Sequence, residues 1–233
     1  MVISGLQKTT LLDYPGHIAC TIFFGKCNLR CPFCHNMELV EHPEHFPTFT
    51  IEYILEFLKE RKGKLDGVAI TGGEPLLNKD IGELLKPIKE LGYPIKLDTN
   101  GFFPDMIEKL IDEKLIDMFA MDIKAGFSNY LKVAGIDNIV GWQEKVRRSI
   151  VLLINMAPDY EFRTTCVKGL HSENDFIEIK GMIKGAKKYF LQNYKAAPDM
   201  KDLPFKSFSR EELEYFANIV KNNVDSVEIR GVD

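Results

Sequence analysis

From His17 onward the sequence alternates short β-branched and aromatic runs with stretches of helical period, and this alternation constrains the fold more than any single motif. The run His17 to Phe24 reads as a strand buried on both faces. Further strands are expected at 67–71, 94–98, 118–123, 160–167 and 188–192. Between them, helices are expected from Thr50, an N-cap candidate followed by Ile51, Ile54, Leu55 and Leu58, and near 80–91, 104–114, 141–156 and 172–185. Pro104 stands at a first-turn position and Ser172 is a candidate cap. A chain that returns to a strand after each helix builds a parallel sheet with right-handed crossovers. Residues 1–16, ending in Asp13-Tyr14-Pro15-Gly16, read as a short lead-in with turn chemistry. A last helix opens at Ser209-Arg210-Glu211-Glu212, a capping-box pattern, and a short strand, 226–230, follows. With 233 residues, 45% of them hydrophobic, and neither repeats nor low-complexity linkers, one domain is expected over 1–233.

Three cysteines, Cys27, Cys31 and Cys34, occupy eight residues after the first strand. Thiolates at this spacing can turn toward one centre and are preferred ligands of zinc and of iron-sulfur clusters. A structural site closes with four protein groups, whereas a reactive one keeps a position open, so the fourth ligand decides between the two. His35 would complete a Cys3His zinc site; polar Asn28 and Arg30 argue against a merely buried set of thiols.

In α/β folds of barrel type the chemistry lies at the carboxyl ends of the strands, and this chain carries polar residues there. The second strand runs into Gly72-Gly73-Glu74-Pro75, where glycines let the backbone pass close to a ligand and Glu74 can accept from an ammonium group. Its plain alternative is an ordinary glycine-rich turn. The third strand ends in Asp98-Thr99-Asn100, the fourth in Asp122-Ile123-Lys124. Asp98 and Asp122 can steady a sulfonium or ammonium or share a small monovalent cation, and Lys124 can meet a carboxylate. Taken singly, each also reads as a cap or a solvated strand end. Arg163 can fork onto the same carboxylate or serve a structural ion pair; Gln192 and Asn193 offer neutral groups for ribose hydroxyls or adenine edges. Phe33 offers adenine an apolar face, or packs on the barrel.

Together the Cys27–Cys34 loop with Phe33, then Gly72-Gly73-Glu74-Pro75, Asp98-Thr99-Asn100-Gly101 and Asp122-Ile123-Lys124 resemble the radical S-adenosylmethionine (radical SAM) superfamily. With Asp13-Tyr14-Pro15-Gly16 and His35-Asn36 they look like its glycyl-radical-enzyme activases. Gly5-Leu6-Gln7-Lys8 and Leu191-Gln192-Asn193 make the chain most similar to the activating protein of the anaerobic ribonucleoside-triphosphate reductase. The resemblance implies an α/β fold, a partial (βα)6 TIM-like barrel over 17–193 with a C-terminal helix and strand extension over 194–233. It implies a 4Fe-4S cluster on Cys27, Cys31 and Cys34, with SAM bound by the strand-end residues. It also implies a flavodoxin- or ferredoxin-type reductant, and reductive cleavage of SAM to a 5′-deoxyadenosyl radical that takes hydrogen from a glycine of the partner, a glycyl radical enzyme. Segments 125–140 and 194–208 are the expected docking loops. Two departures stand out: Lys26 occupies a position where the family usually has glycine, and Cys20 and Cys166 have no role that the resemblance assigns.

Charge and cysteine usage narrow the alternatives. A net charge of −4 without a basic stripe disfavours nucleic acid, five cysteines form no even disulfide framework, and no span of membrane length appears. A cytoplasmic protein is expected. A radical SAM enzyme acting on a small molecule, similar to the deazaguanine-forming synthases, shares every cofactor motif. A zinc-binding or electron-transfer module shares the thiols alone.

Overall fold

The computed structural model describes residues 1–137, 139–196 and 203–232. Its centre is an eight-stranded sheet in sequence order: β1 (Ile3–Thr10), β2 (Ala19–Phe24), β3 (Gly67–Gly72), β4 (Ile95–Thr99), β5 (Met118–Asp122), β6 (Tyr160–Cys166), β7 (Ala186–Asn193) and β8 (Val224–Arg230). From β2 to β8 every neighbouring pair is parallel; β1 runs antiparallel to β2. The sheet is the open, partial barrel that six strand-helix units imply, widened by β8 on one edge and β1 on the other. Among the described residues those two edges are not paired with each other.

Two expectations change. The segment 1–16 is not a simple lead-in, because Ile3–Thr10 forms an edge strand with bulges between Ile3 and Gly5 and between Gln7 and Thr10. The terminal strand is longer than expected and joins the parallel sheet beside β7. The turn after β1 has a packing role: Tyr14 is 4% exposed and lies so close to Gly67 that a Cβ there would meet its ring at 2.9 Å. Asp13 accepts a 2.5 Å hydrogen bond from Thr21 Oγ1, which fixes this turn on β2.

The helices are α1 (Met37–Glu41), α2 (Ile51–Glu60), α3 (Gly82–Glu90), α4 (Pro104–Asp112), α5 (Tyr130–Ala134), α6 (Trp142–Met156), α7 (Glu173–Met182) and α8 (Arg210–Val220). Their starts follow the expected chemistry. Thr50 Oγ1 accepts from the Tyr53 amide at 3.2 Å, Pro104 opens α4, and capping boxes pair Ser172 with Asp175 and Ser209 with Glu212. Short α1 and α5 form where the sequence pattern predicts no helix. Each helix turns its apolar stripe inward (Leu84, Leu85 and Ile88 of α3, Ile107 and Leu110 of α4), onto strand residues such as Ile22, Ile70, Leu97 and Phe119 that are fully buried. Cys20 and Cys166 belong to this core, both 0% exposed, and burial pushes the Cys20 thiol up to about 12. No described helix is long and apolar enough to cross a membrane.

Candidate active site at the carboxyl ends of the strands

The parallel strands all deliver their C-terminal residues to one end, where a cavity of about 340 Å³ opens. That volume is in the range of small-molecule sites. Its wall contains Cys27, Cys31, Phe33 and Cys34 from the loop after β2, Gly72 and Gly73 after β3, and Asp98 and Asn100 at β4. Asp122 and Lys124 at β5, Arg163 of β6 and Gln192 of β7 join them.

The cysteine loop is held in place by the backbone around it. Lys26 takes a left-handed conformation, φ 66°, that β-carbon sterics disfavour. Its carbonyl accepts from the Glu74 amide at 2.9 Å, and the Gly73 amide donates to Phe24 O at 2.7 Å. A Cβ on Gly73 would come within 1.9 Å of Lys26 O, and one on Gly72 within 2.3 Å of Phe24 O. Gly73 is thus required by the close passage of the cysteine loop, and Gly72 by the end of β2 that leads into it. On the other side, α5 ends in Gly135 at φ 65°, where a Cβ would meet Arg30 O at 1.8 Å. Ala134 O accepts from the Arg30 amide at 3.0 Å and from Cys31 Sγ at 3.7 Å.

Cys27 Sγ receives the Leu29 amide at 3.4 Å and Asn100 Nδ2 at 3.7 Å, donors of the kind that stabilise a thiolate. Burial pushes the Cys27 thiol up to about 12 and raises that of Cys31, which nearby Lys124 opposes. Protons leave such sulfurs when a metal supplies positive charge. Three sulfurs on one wall of a cavity, one of them buried and one receiving two N–H donors, fit a cluster with three protein ligands. His35 does not complete a zinc site by this arrangement: its Nε2 bonds Lys195 O at 2.7 Å and its ring stacks on Tyr194.

Opposite the thiols lies a charged network. Arg163 Nε is 3.0 Å from Asp122 Oδ1, and its Nη1 is 3.3 Å from Asp98 Oδ2. Lys124 Nζ is 3.0 Å from Asp122 Oδ2, and Lys96, 2% exposed, pairs with Asp98. Burial alone would raise both carboxyls, but Arg163, with Lys96 for Asp98 and Lys124 for Asp122, holds them below the usual carboxylate range. Lys124 is raised in spite of burial, chiefly by Asp122 and Cys31. At the cavity wall itself two carboxylates, Asp98 and Asp122, stand beside two cations, Lys124 and Arg163, so groups of either sign can be met there. Glu161 below, 1% exposed, is gripped by both nitrogens of Arg230 at 3.0 Å and lies 3.9 Å from Arg163.

Several expected contacts are redirected. Glu74 is fully buried and its carboxylate is consumed by the Asn100 amide at 2.7 Å, Thr99 Oγ1 at 2.9 Å and the Leu76 amide at 3.1 Å, so it does not face the cavity. Burial still pushes it up to about 7 against those three bonds. Pro75 opens the buried turn after Glu74, and Ile123 is 0% exposed with its carbonyl taken by Thr164 Oγ1 at 2.8 Å. Asn193 is spent on Phe208, to whose carbonyl it donates at 2.9 Å and from whose amide it accepts at 3.0 Å, so Gln192 alone of that pair reaches the cavity. The cation between Asp98 and Asp122 is the guanidinium of Arg163, which fills the position expected for a small ion. Phe33 is 6% exposed, edge-on to His171 at 6.5 Å. Wall residues not anticipated are Thr71, Thr165 and Asn36, the last donating to Gly72 O at 2.9 Å. Strand alternation with Arg163 points to Thr165.

Comparison with known proteins agrees with this geometry. The family model described as the radical SAM superfamily matches residues 21–179. A Methanocaldococcus jannaschii protein named "Putative glycyl-radical enzyme activating enzyme" is 33% identical over 243 residues, covering 100% of this chain and 97% of that one. A Clostridium pasteurianum pyruvate formate-lyase-activating enzyme is 27% identical, covering 97% of this chain and 80% of that one. Among solved structures, a radical SAM methyltransferase from Sphaerobacter thermophilus superposes with a TM-score of 0.71 at 17% identity, over 93% of this chain and 67% of that one. The chain belongs to the radical SAM superfamily, in its glycyl-radical-enzyme activating group.

Proposed function

We propose that this protein installs a glycyl radical on an anaerobic ribonucleoside-triphosphate reductase, in the cytoplasm, drawing electrons from a flavodoxin- or ferredoxin-type donor. The observation that carries the reading is the opening of three cysteines and the Asp98–Arg163–Asp122–Lys124 network into one cavity. Cys27, Cys31 and Cys34 would hold a 4Fe-4S cluster. Bound there together, the cluster and SAM would supply a 5′-deoxyadenosyl radical.

The chain's own residues divide the remaining work. Lys124 and Arg163 would receive the carboxylate of the methionine moiety, because they are the cations on the cavity wall; Asp98 and Asp122 would balance its amino and sulfonium charges. The backbone at Gly72 and Gly73 would line the methionine end, and Gln192 would meet the ribose or adenine. Phe33 would shield the adenine side from water. No side chain is required as general acid or base. The partner's glycine loop would enter between segments 125–140 and 194–208, of which residue 138 and residues 197–202 lie outside the described residues.

The test is anaerobic. After reconstitution with iron and sulfide and reduction, added SAM should give 5′-deoxyadenosine, and a candidate reductase should acquire a glycyl radical signal by electron paramagnetic resonance. Cys31→Ala should abolish both. Cleavage of SAM with no radical on any reductase tested would remove the partner assignment and leave the superfamily intact.

A further inference from the structure

Outside the barrel mouth, one group of described side chains gathers three potential metal ligands: His42, Glu44 and His45, each offering a donor atom, with those atoms within 4.8 Å of one another. The arrangement follows from local sequence. α1 ends at Glu41 and a single 3-10 turn, Pro43–His45, reverses the chain; in that geometry residues three apart eclipse, which stacks His42 on His45. Their ring centroids are 5.0 Å apart at 16°. Each ring also meets a carboxylate: His42 Nδ1 is 3.2 Å from Glu44 Oε1, and His45 Nδ1 is 3.5 Å from Glu38 Oε1.

We infer that this turn is a divalent transition-metal site, with His42, His45 and Glu44 as ligands and Glu38 as the carboxylate that orients His45. Paired imidazoles with a carboxylate suit zinc, nickel, cobalt or copper rather than magnesium or calcium. At bond lengths of about 2.0–2.1 Å the donors must close to roughly 3.3 Å, a movement that exposed side chains make by rotation. The backbone beneath them is already fixed: the His42 amide bonds Glu38 O at 2.7 Å, the His45 amide bonds His42 O at 2.9 Å, and Pro43 is buried. Without an ion the same four groups form exposed His–Glu pairs that contribute little. With one, the carboxylates both neutralise the metal and set the ring tautomers.

The location gives the ion a structural consequence. Pro43 packs on Gly25 so tightly that a Cβ there would meet Pro43 Cβ at 2.8 Å, and the Lys26 amide bonds Leu39 O at 3.4 Å. An ion holding His42 to His45 braces the segment that backs the chain immediately before Cys27. This inference concerns residues outside the cavity and does not depend on the proposed partner or on the cluster.

The test uses untagged, iron-sulfur-loaded protein titrated with Zn²⁺ against a chromophoric chelator, iron content being followed throughout. One equivalent of zinc should bind without loss of iron, and amide exchange should slow across 37–46. His42→Ala with His45→Ala should weaken binding about a hundredfold or more, and Glu38→Gln about tenfold. The same equivalent should bind when Cys27, Cys31 and Cys34 are all replaced by serine. Failure to bind zinc, or binding undiminished in the double histidine variant, would overturn the site.

Discussion

Arg163 and Asp122 are register partners on adjacent parallel strands, and the guanidinium lies against the carboxylate with Nε 3.0 Å and Nη2 2.9 Å from Oδ1. The same guanidinium reaches Asp98 one strand further on, so one cation ties the ends of three strands at the cavity wall. A resident charge pair of this kind sets the geometry of the site before anything binds.

Removing that cation leaves two part-buried carboxylates without a shared partner. Arg163 is 12% exposed at its side chain and the carboxylates 20% and 29%, so breaking the pairs should cost toward the lower end of the about 3–5 kcal/mol of a buried pair. Arg163→Met should lower the unfolding free energy by that order in urea titrations, while Arg163→Lys should recover part of it. A loss of less than about 1 kcal/mol would show that the carboxylates are satisfied by Lys96 and Lys124 alone.

Lys26 supplies a test in the opposite direction. Its left-handed backbone costs a non-glycine residue about 1–2 kcal/mol, offset in part by the greater unfolded-state freedom of glycine. Lys26→Gly should therefore stabilise the protein by about 0.5–1 kcal/mol, read as a higher denaturation midpoint at constant slope. Lys26→Pro, which forbids positive φ and deletes the amide bonded to Leu39 O, should be destabilising.

His171 gives a pH dependence whose sign follows from its contacts. It is 7% exposed, accepts from the Val167 amide at 3.1 Å and donates to Lys124 O at 2.7 Å, so the folded protein holds it neutral. Burial lowers its pKa below the ordinary 6.5, outweighing the bond to the Lys124 carbonyl and the nearby Asp175 charge, which favour the protonated ring. The unfolded chain then binds the extra proton, so this contribution is level above that ordinary value and falls as pH drops below it, by up to about 1.4 kcal/mol per pH unit. Glu74, raised to about 7, acts with the opposite sign: it favours the folded state below its ordinary pKa and loses that effect as pH rises through 7. The difference between wild type and His171→Gln isolates the histidine. Wild type should lose stability faster than the variant between about pH 6.5 and 5, and parallel curves would show that His171 is not held neutral.

Much of this was legible from residue order. The strand-helix alternation, the caps at Thr50, Ser172 and Ser209, and the convergence of Cys27, Cys31, Cys34, Asp98, Asp122, Lys124 and Arg163 follow from period, cap chemistry and the rule that strand ends carry the site. The edge strand Ile3–Thr10 was not, because Gly5 and the run Gln7 to Thr10 give a half-exposed strand little alternation to read. Glu74 was misplaced for a different reason. Position at a strand end does not tell which way a side chain points, and Glu74 is turned inward by Thr99 and Asn100, groups 25 and 26 residues away in the chain. Asn193 likewise follows Phe208, a contact formed only when the C-terminal segment folds back. The Lys26 departure is met locally: its backbone takes the left-handed conformation that glycine adopts readily.

The pair Gly135 and Gly141 separates backbone strain from crowding beside the thiols. Both have positive φ, 65° and 72°, so alanine at either imposes similar conformational strain, about 1 kcal/mol. At Gly141 an added Cβ meets nothing within 4 Å, and the cost should end there. At Gly135 it would collide with Arg30 O and approach the Cys31 amide at 3.1 Å, so α5 or the cysteine loop must move. Gly135→Ala should therefore cost at least about 1–3 kcal/mol more than Gly141→Ala and should also lower the iron retained per chain after reconstitution, while Gly141→Ala keeps full iron. Equal iron content in the two variants would mean that the loop's hold on a cluster does not depend on its contact with α5.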